Sequence, residues 1–102
     1  MEKVDIFLDD WRTAPSGYEV ARDFKEFTIL LDRYKGNIGT ISFDFDLDSY
    51  RYNGLDAAKY VKQMNIEVEK FRIHSSHDKR KLIYEFLEEN YPNKKIELLY
   101  PL

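Results

Sequence analysis

A chain of 102 residues, 43% hydrophobic and 16% aromatic, is one domain with enough apolar material for a single core. It contains no cysteine, which excludes disulfide frameworks, thiolate zinc sites and cysteine nucleophiles. Its net charge of −3 excludes a broad electrostatic attraction to nucleic acid or to an anionic membrane, while leaving room for a local basic pocket. Every apolar run falls short of the roughly 20 residues that span a bilayer. The opening residues, from Met1 to Asp5, do not resemble a signal peptide. We therefore expect a cytoplasmic protein with no membrane partner.

In chain order, residues 3–8 read as a strand, in which Val4, Ile6, Phe7 and Leu8 suit cover on both faces. The stretch 9–17 is too rich in turn formers for a regular helix, and 18–22 form a short second strand. Asp23 caps a helix, with Glu26 completing a capping-box pattern. Phe24, Phe27, Leu30, Leu31 and Tyr34 recur at helical spacing, and Gly36 supplies the stop. Residues 40–45 are the third strand and 48–53 a polar and aromatic loop. Asn53 and Gly54 open a helix of about a dozen residues, its buried side carrying Leu55, Ala58, Val61 and Met64. Residues 70–74 are strand. A last helix runs from about Asp78 to about Asn90, with Leu82, Ile83, Phe86 and Leu87 as its core face; Pro92 ends it, and 96–100 form a final strand.

This alternation predicts a parallel sheet with helices on both faces. The first connection is irregular, because residues 9–17 are fewer than the dozen or so that a parallel crossover normally needs. Either a short helical turn lies there, or the second strand pairs in an unusual way.

The third strand carries the most chemistry. Ile41, Phe43 and Phe45 alternate with Ser42, Asp44 and Asp46, so the two acids would share one side of the strand, about 6.6–7 Å apart. One cation or one phosphate spans that distance. Asp9 and Asp10 close the first strand, and His74, Ser75 and Ser76 close the fourth. Ligands bind at the carboxyl ends of strands in open α/β sheets, so these tips are expected to share a site. The four carboxylates Asp9, Asp10, Asp44 and Asp46 suit Mg²⁺ or Mn²⁺; their bland reading is as turn formers and caps. His74 is either a proton carrier beside an anion site or a satisfied structural residue, and His77 reads as solvent-facing or capping. Arg12 and Arg22 are placed to grip a phosphate, or else to pair with a nearby aspartate. For Trp11, Tyr50 and Tyr52, packing is expected ahead of stacking on a base.

Taken together, Leu8, Asp9, Asp10, Arg12, Pro15 and Gly17, then Ile41, Ser42, Asp44, Asp46 and Leu47, then Gly54 and Asp56, then His74 and Ser75, resemble the cyclic-phosphate processing receiver-like domain family. This family is a diverged relative of the response-regulator receiver. The resemblance covers about residues 5–90. It implies a flavodoxin-like, receiver-like domain over 1–102, with a mainly parallel five-stranded sheet in the order 2-1-3-4-5 and a shortened first connection. It implies metal-assisted processing of cyclic phosphates on nucleotides or RNA ends. His74, Asp44 and Asp46 would be catalytic, and Arg12, Arg22 and Ser75 would bind phosphate. Asp9, Asp10, Asp44 and Asp46 would hold Mg²⁺ or Mn²⁺. The family pattern has histidine where this chain has Phe45, and often asparagine where it has His77. True receivers carry a lysine after the fifth strand that this chain lacks. A phosphoacceptor module is therefore the alternative, followed by a non-catalytic binding domain.

Overall fold

A computed structural model describes residues 2–75 and 78–99. Its elements are β1 (Val4–Leu8), β2 (Tyr18–Ala21), α1 (Phe24–Tyr34), β3 (Ile38–Phe43), α2 (Gly54–Gln63), β4 (Val68–Ile73), α3 (Arg80–Asn90) and β5 (Lys95–Leu98). The order matches the sequence expectation, with boundaries moved by a residue or two; the expected end of the last strand, Tyr100, lies outside the described residues. The five strands form one parallel sheet in the order β2-β1-β3-β4-β5. No described helix is long and apolar enough to cross a membrane.

The helices form because each has a short apolar stripe and a stop. In α1, Phe27, Leu30 and Leu31 are buried at helical spacing. The Asp23 carboxylate accepts from the Glu26 N–H (2.8 Å), and Glu26 in turn accepts from the N–H of Arg22, one residue ahead of the cap (2.7 Å). Gly36, at φ +86°, takes the left-handed turn that ends the helix. A full capping box joins Asn53 and Asp56 at the start of α2. A Cβ on Gly54 would overlap the Asp44 carbonyl oxygen, so glycine is what lets this helix start directly above the third strand tip. Met64 and Leu82, expected inside, are exposed: Met64 is the cap residue where the chain turns off α2, and Ala57 fills the inner face instead.

Two expectations are corrected. First, the described helices cover one face of the sheet rather than both. Each of the steps β2→β3, β3→β4 and β4→β5 moves the same way across the sheet, and right-handed crossovers then put all three helices on the same side. There Ile6, Leu8, Ile41, Phe43, Phe71 and Ile73 meet Phe27, Leu31, Ala58, Val61, Ile83 and Leu87 in one core. The opposite side carries the row Phe7, Ser42, Arg72 and Glu97. Second, the first connection holds neither a helix nor an unusual pairing. β2 pairs with β1 in ordinary parallel register, Asp5 with Tyr18 through Leu8 with Ala21. A four-residue β2 is only about 13 Å long, a return that extended chain at up to ~3.5 Å per residue makes without a helix.

One irregularity positions the site. Val4 faces Ile38, but Ile6 faces Ile41, so β3 carries one extra residue there. Gly39 sits at this bulge with its missing Cβ replaced by the Asp5 carboxylate, which accepts from the Thr40 N–H (2.8 Å). Beyond the bulge Leu8 faces Phe43, and Phe43 faces Ile73.

Candidate functional site at the strand tips

The residue after each of those three partners is Asp9, Asp44 or His74. Ladder bonds continue one step past the strand ends and hold all three: Asp9 N–H to the Ala21 carbonyl (3.1 Å), Asp44 N–H to Leu8 (3.0 Å) and His74 N–H to Phe43 (2.9 Å). They form the next row of the sheet, on the face opposite the helices, and all three are buried. Their ligand atoms lie within 4.8 Å of one another, a group that could hold a metal ion.

Asp9 organises this row. Its Oδ1 accepts from the backbone N–H groups of Trp11 and Arg12, both at 2.9 Å. Its Oδ2 accepts from Arg12 Nη1 at 2.9 Å and from His74 Nε2 at 3.0 Å. Those four donors use the approximately four lone-pair positions of a carboxylate. Burial works to raise the pKa of Asp9, but the Arg12 and Trp11 amides, followed by the guanidinium and the imidazole, hold it below the usual range. Arg12 Nη1 also lies 3.4 Å from Asp44 Oδ2, so one guanidinium joins the two inner carboxylates.

Asp44 has the opposite balance. Its Oδ1 accepts from the Phe45 N–H at 2.9 Å. Burial, and then the charge of Asp9, push its pKa up to about 6 against the pull of Ser75, Arg12 and Phe45. Ser75 is buried and hydrogen-bonds the Asp44 side chain.

His74 has no solvent exposure, and both ring nitrogens are engaged. Nε2 faces the ionised Asp9 and so carries the proton, and Nδ1 accepts from the Ser42 hydroxyl at 2.7 Å. The ring lies flat on Phe7, centroids 4.2 Å apart and planes 8° apart. Burial pushes its pKa down to about 4 despite Asp9, and the charges of Arg12 and Arg72 add to that. The Ser42–His74–Asp9 chain has the connectivity of a hydrolase triad, but Ser42 is buried inside β3 and fixes the ring instead of meeting a substrate. Sequence reading named Ser42 in the third-strand pattern but gave it no role; its position two residues before Asp44, on the same strand side, was the available signal.

The other expected residues lie around this row. Asp10 is half-buried and Asp46 exposed, and neither belongs to the Asp9–Asp44–His74 group. Asp46 Oδ1 accepts from the Asp48 N–H at 3.0 Å, a turn-forming bond. Arg22 clamps the first loop, its Nη1 donating to the carbonyls of Arg12 (2.7 Å) and Asp9 (3.2 Å). Phe45 lies in the core. Ser76 and His77 fall outside the described residues.

A parallel sheet in this order, with aspartates at the tips of β1 and β3 and a serine after β4, defines a receiver-type domain. The family model described as the cyclic-phosphate processing receiver domain matches residues 4–89, and the chain belongs to that family. No curated protein and no solved structure matches it significantly.

Proposed function

We propose that this domain opens or closes cyclic phosphates on nucleotides or RNA ends, at the corner formed by Asp9, Arg12, Asp44 and Ser75. The observation that carries this reading is the placement of Arg12, 2.9 Å from Asp9 and 3.4 Å from Asp44 at the carboxyl ends of adjacent strands. A guanidinium anchored there neutralises charge on a phosphoryl group as water bonds to phosphorus and a ring P–O bond breaks, or, in ring closure, as a ribose hydroxyl attacks and the other ester oxygen leaves. With no cation on its oxygens, Asp44 beside it exchanges a proton near neutral pH, as the ribose oxygen of a cyclic phosphate requires. Ser75 orients Asp44, Asp10 and Asp46 form an acidic rim, and Arg22 secures the loop that carries Arg12. His74 is a positioning residue that acts through Asp9.

The donor set suits a hard divalent ion, Mg²⁺ or Mn²⁺, on the oxygens of Asp9 and Asp44. When bound it would supply a second positive charge for the phosphoryl oxygens. Because the lone pairs of Asp9 are engaged, Arg12 would have to yield its bond to Oδ2 for Asp9 to hold such an ion.

Turnover of 2′,3′-cyclic AMP and of cyclic-phosphate-ended RNA, with and without Mg²⁺ or Mn²⁺, tests the proposal. Asp44→Asn should lower turnover roughly 10²–10⁴-fold with the fold intact. Absence of turnover by well-folded wild type on every substrate sinks the assignment. A receiver-type phosphoacceptor is the second reading, since Asp44 ends β3 between Asp9 and Ser75. A stoichiometric adduct on Asp44 after incubation with acetyl phosphate and Mg²⁺ would put that reading first.

A further inference from the structure

The exposed aromatic side chains are concentrated in one place. Among the described residues, the large exposed hydrophobics include three aromatics, Trp11, Tyr50 and Tyr52. All three sit on the loops that follow β1 and β3, the loops that carry Asp9, Asp10, Arg12, Asp44 and Asp46. Packing was the expectation for these rings. Tyr52 meets it by stacking on Phe24 at 4.1 Å, whereas Trp11 is 70% exposed and Tyr50 fully so.

Trp11 is tied to the phosphate corner. Its N–H donates to Asp9 Oδ1, the carboxylate that also anchors Arg12, and the Arg12 guanidinium lies 4.9 Å from the indole centroid. The indole is therefore anchored at its backbone and through Arg12, with most of its surface in water. Tyr50 lines an open cleft of about 280 Å³ with Asp46, Asp48 and Ser49. β1 and β3 are neighbours in the sheet, and Arg12 of the first loop lies 3.4 Å from Asp44 at the start of the second, so the two loops leave the sheet side by side.

Resting on the function proposed above, we propose that Trp11 and Tyr50 form a nucleobase subsite: the base stacks on these rings while its cyclic phosphate meets Arg12. A net charge of −3 supplies no broad attraction to a nucleic-acid backbone, so part of the affinity must come from elsewhere. Stacking supplies it without reading base identity. The acceptors Asp46, Asp48 and Ser49 in the same cleft suit the amino or hydroxyl donors of a nucleoside.

Trp11 is the one tryptophan of the chain, so its emission reports this subsite directly. The probes are 2′,3′-cyclic AMP, a cyclic-phosphate-ended tetranucleotide, and glycerol 1,2-cyclic phosphate, which has no base. The two base-bearing ligands should quench Trp11 emission and bind more tightly than the glycerol compound. By equilibrium dialysis, Trp11→Ala and Tyr50→Ala should each weaken base-bearing ligands roughly 5- to 100-fold, leave the glycerol compound unchanged, and keep wild-type stability. Tighter binding of the tetranucleotide than of cyclic AMP identifies an RNA end as the source of the base, and equal binding a free nucleotide. Equal affinity for base-bearing and base-free compounds, or unchanged binding by both variants, overturns the subsite and leaves the phosphate reading standing. Failure of folded wild type to bind any of the three overturns both.

Discussion

Asp9 and Asp10 are neighbours in the chain and Asp44 and Asp46 lie two residues apart, yet in each pair the two acids live in different media. Asp9 and Asp44 are buried, and Arg12 reaches both. Asp10 and Asp46 form the wetter rim, where Asp46 closes a turn onto Asp48. A carboxylate at the tip of a strand is thus made into an ion-pair partner, a group held nearer its proton or a turn former by its surroundings, not by its type. The inner pair differ between themselves as well. Asp9 has four donors and is held ionised, while burial and then the charge of Asp9 keep Asp44 nearer its proton.

The comparison is easiest to break at Asp9. Asp9→Ala would leave the buried His74 Nε2–H without its acceptor and loosen Arg12 and the first loop at once. We expect a loss of about 3–5 kcal/mol in urea unfolding, the usual cost of breaking a buried pair. Asp10→Ala, one residue away, should cost far less, roughly 0.5 kcal/mol. Equal losses at the two positions would mean that the inner and outer carboxylates do not differ as described.

The next effect is in pH dependence, measured with a chelator present. Asp44 titrates at about 6 in the folded chain against 3.8 ordinarily, so it disfavours the fold increasingly as pH rises from about 4 through 6. His74 titrates at about 4 against 6.5, so the fold loses stability as pH falls from about 6.5 to 4. The two slopes oppose each other in the shared window. Asp44→Asn should therefore stabilise the chain at pH 7.5, by about 2–3 kcal/mol at roughly 1.4 kcal/mol per unit, and make it more acid-sensitive than wild type. His74→Asn should show the reverse slope, gaining stability relative to wild type on acidification. Thermal unfolding from pH 4 to 8 would decide this, and parallel curves for all three proteins would contradict the assigned titrations.

The smallest effect belongs to the rim. Asn can accept the Asp48 N–H as well as Asp46 does, so Asp46→Asn should change stability by less than about 0.5 kcal/mol. Its effect on turnover should fall well below that of Asp44→Asn. An equal loss of turnover would return Asp46 to the catalytic group and merge the two layers.

Much of the architecture was legible in the residues. The spacing of Phe27, Leu30 and Leu31, and of Ala58 and Val61, marked helix faces that tertiary contacts kept, because amphipathic periodicity and core burial express the same constraint. Met64 was misleading because it lies where α2 ends and the chain turns away. Cover on both faces was inferred from alternation alone, which says that helices join parallel strands but not on which side. The direction of each crossover across the sheet decides the side, and strand order is a tertiary fact.

At the site, the sequence by itself determined which chemical groups end the strands: Asp9, Asp44, and His74 with Ser75, each following an apolar run, with period-2 alternation assigning a side in the third strand. Only the tertiary structure decided that they meet. Without the extra residue at Gly39, Leu8 would face Ser42 instead of Phe43, and every side chain of β3 would exchange faces relative to β1. The carboxylate of Asp5, far along β1 from the site, fills the space at that glycine and bonds the Thr40 N–H, holding the shift in place. Burial and hydrogen-bond partners then divided similar residues into different roles. Both depend on what the folded chain brings within a few ångströms, and residue spacing along a strand carries no record of that.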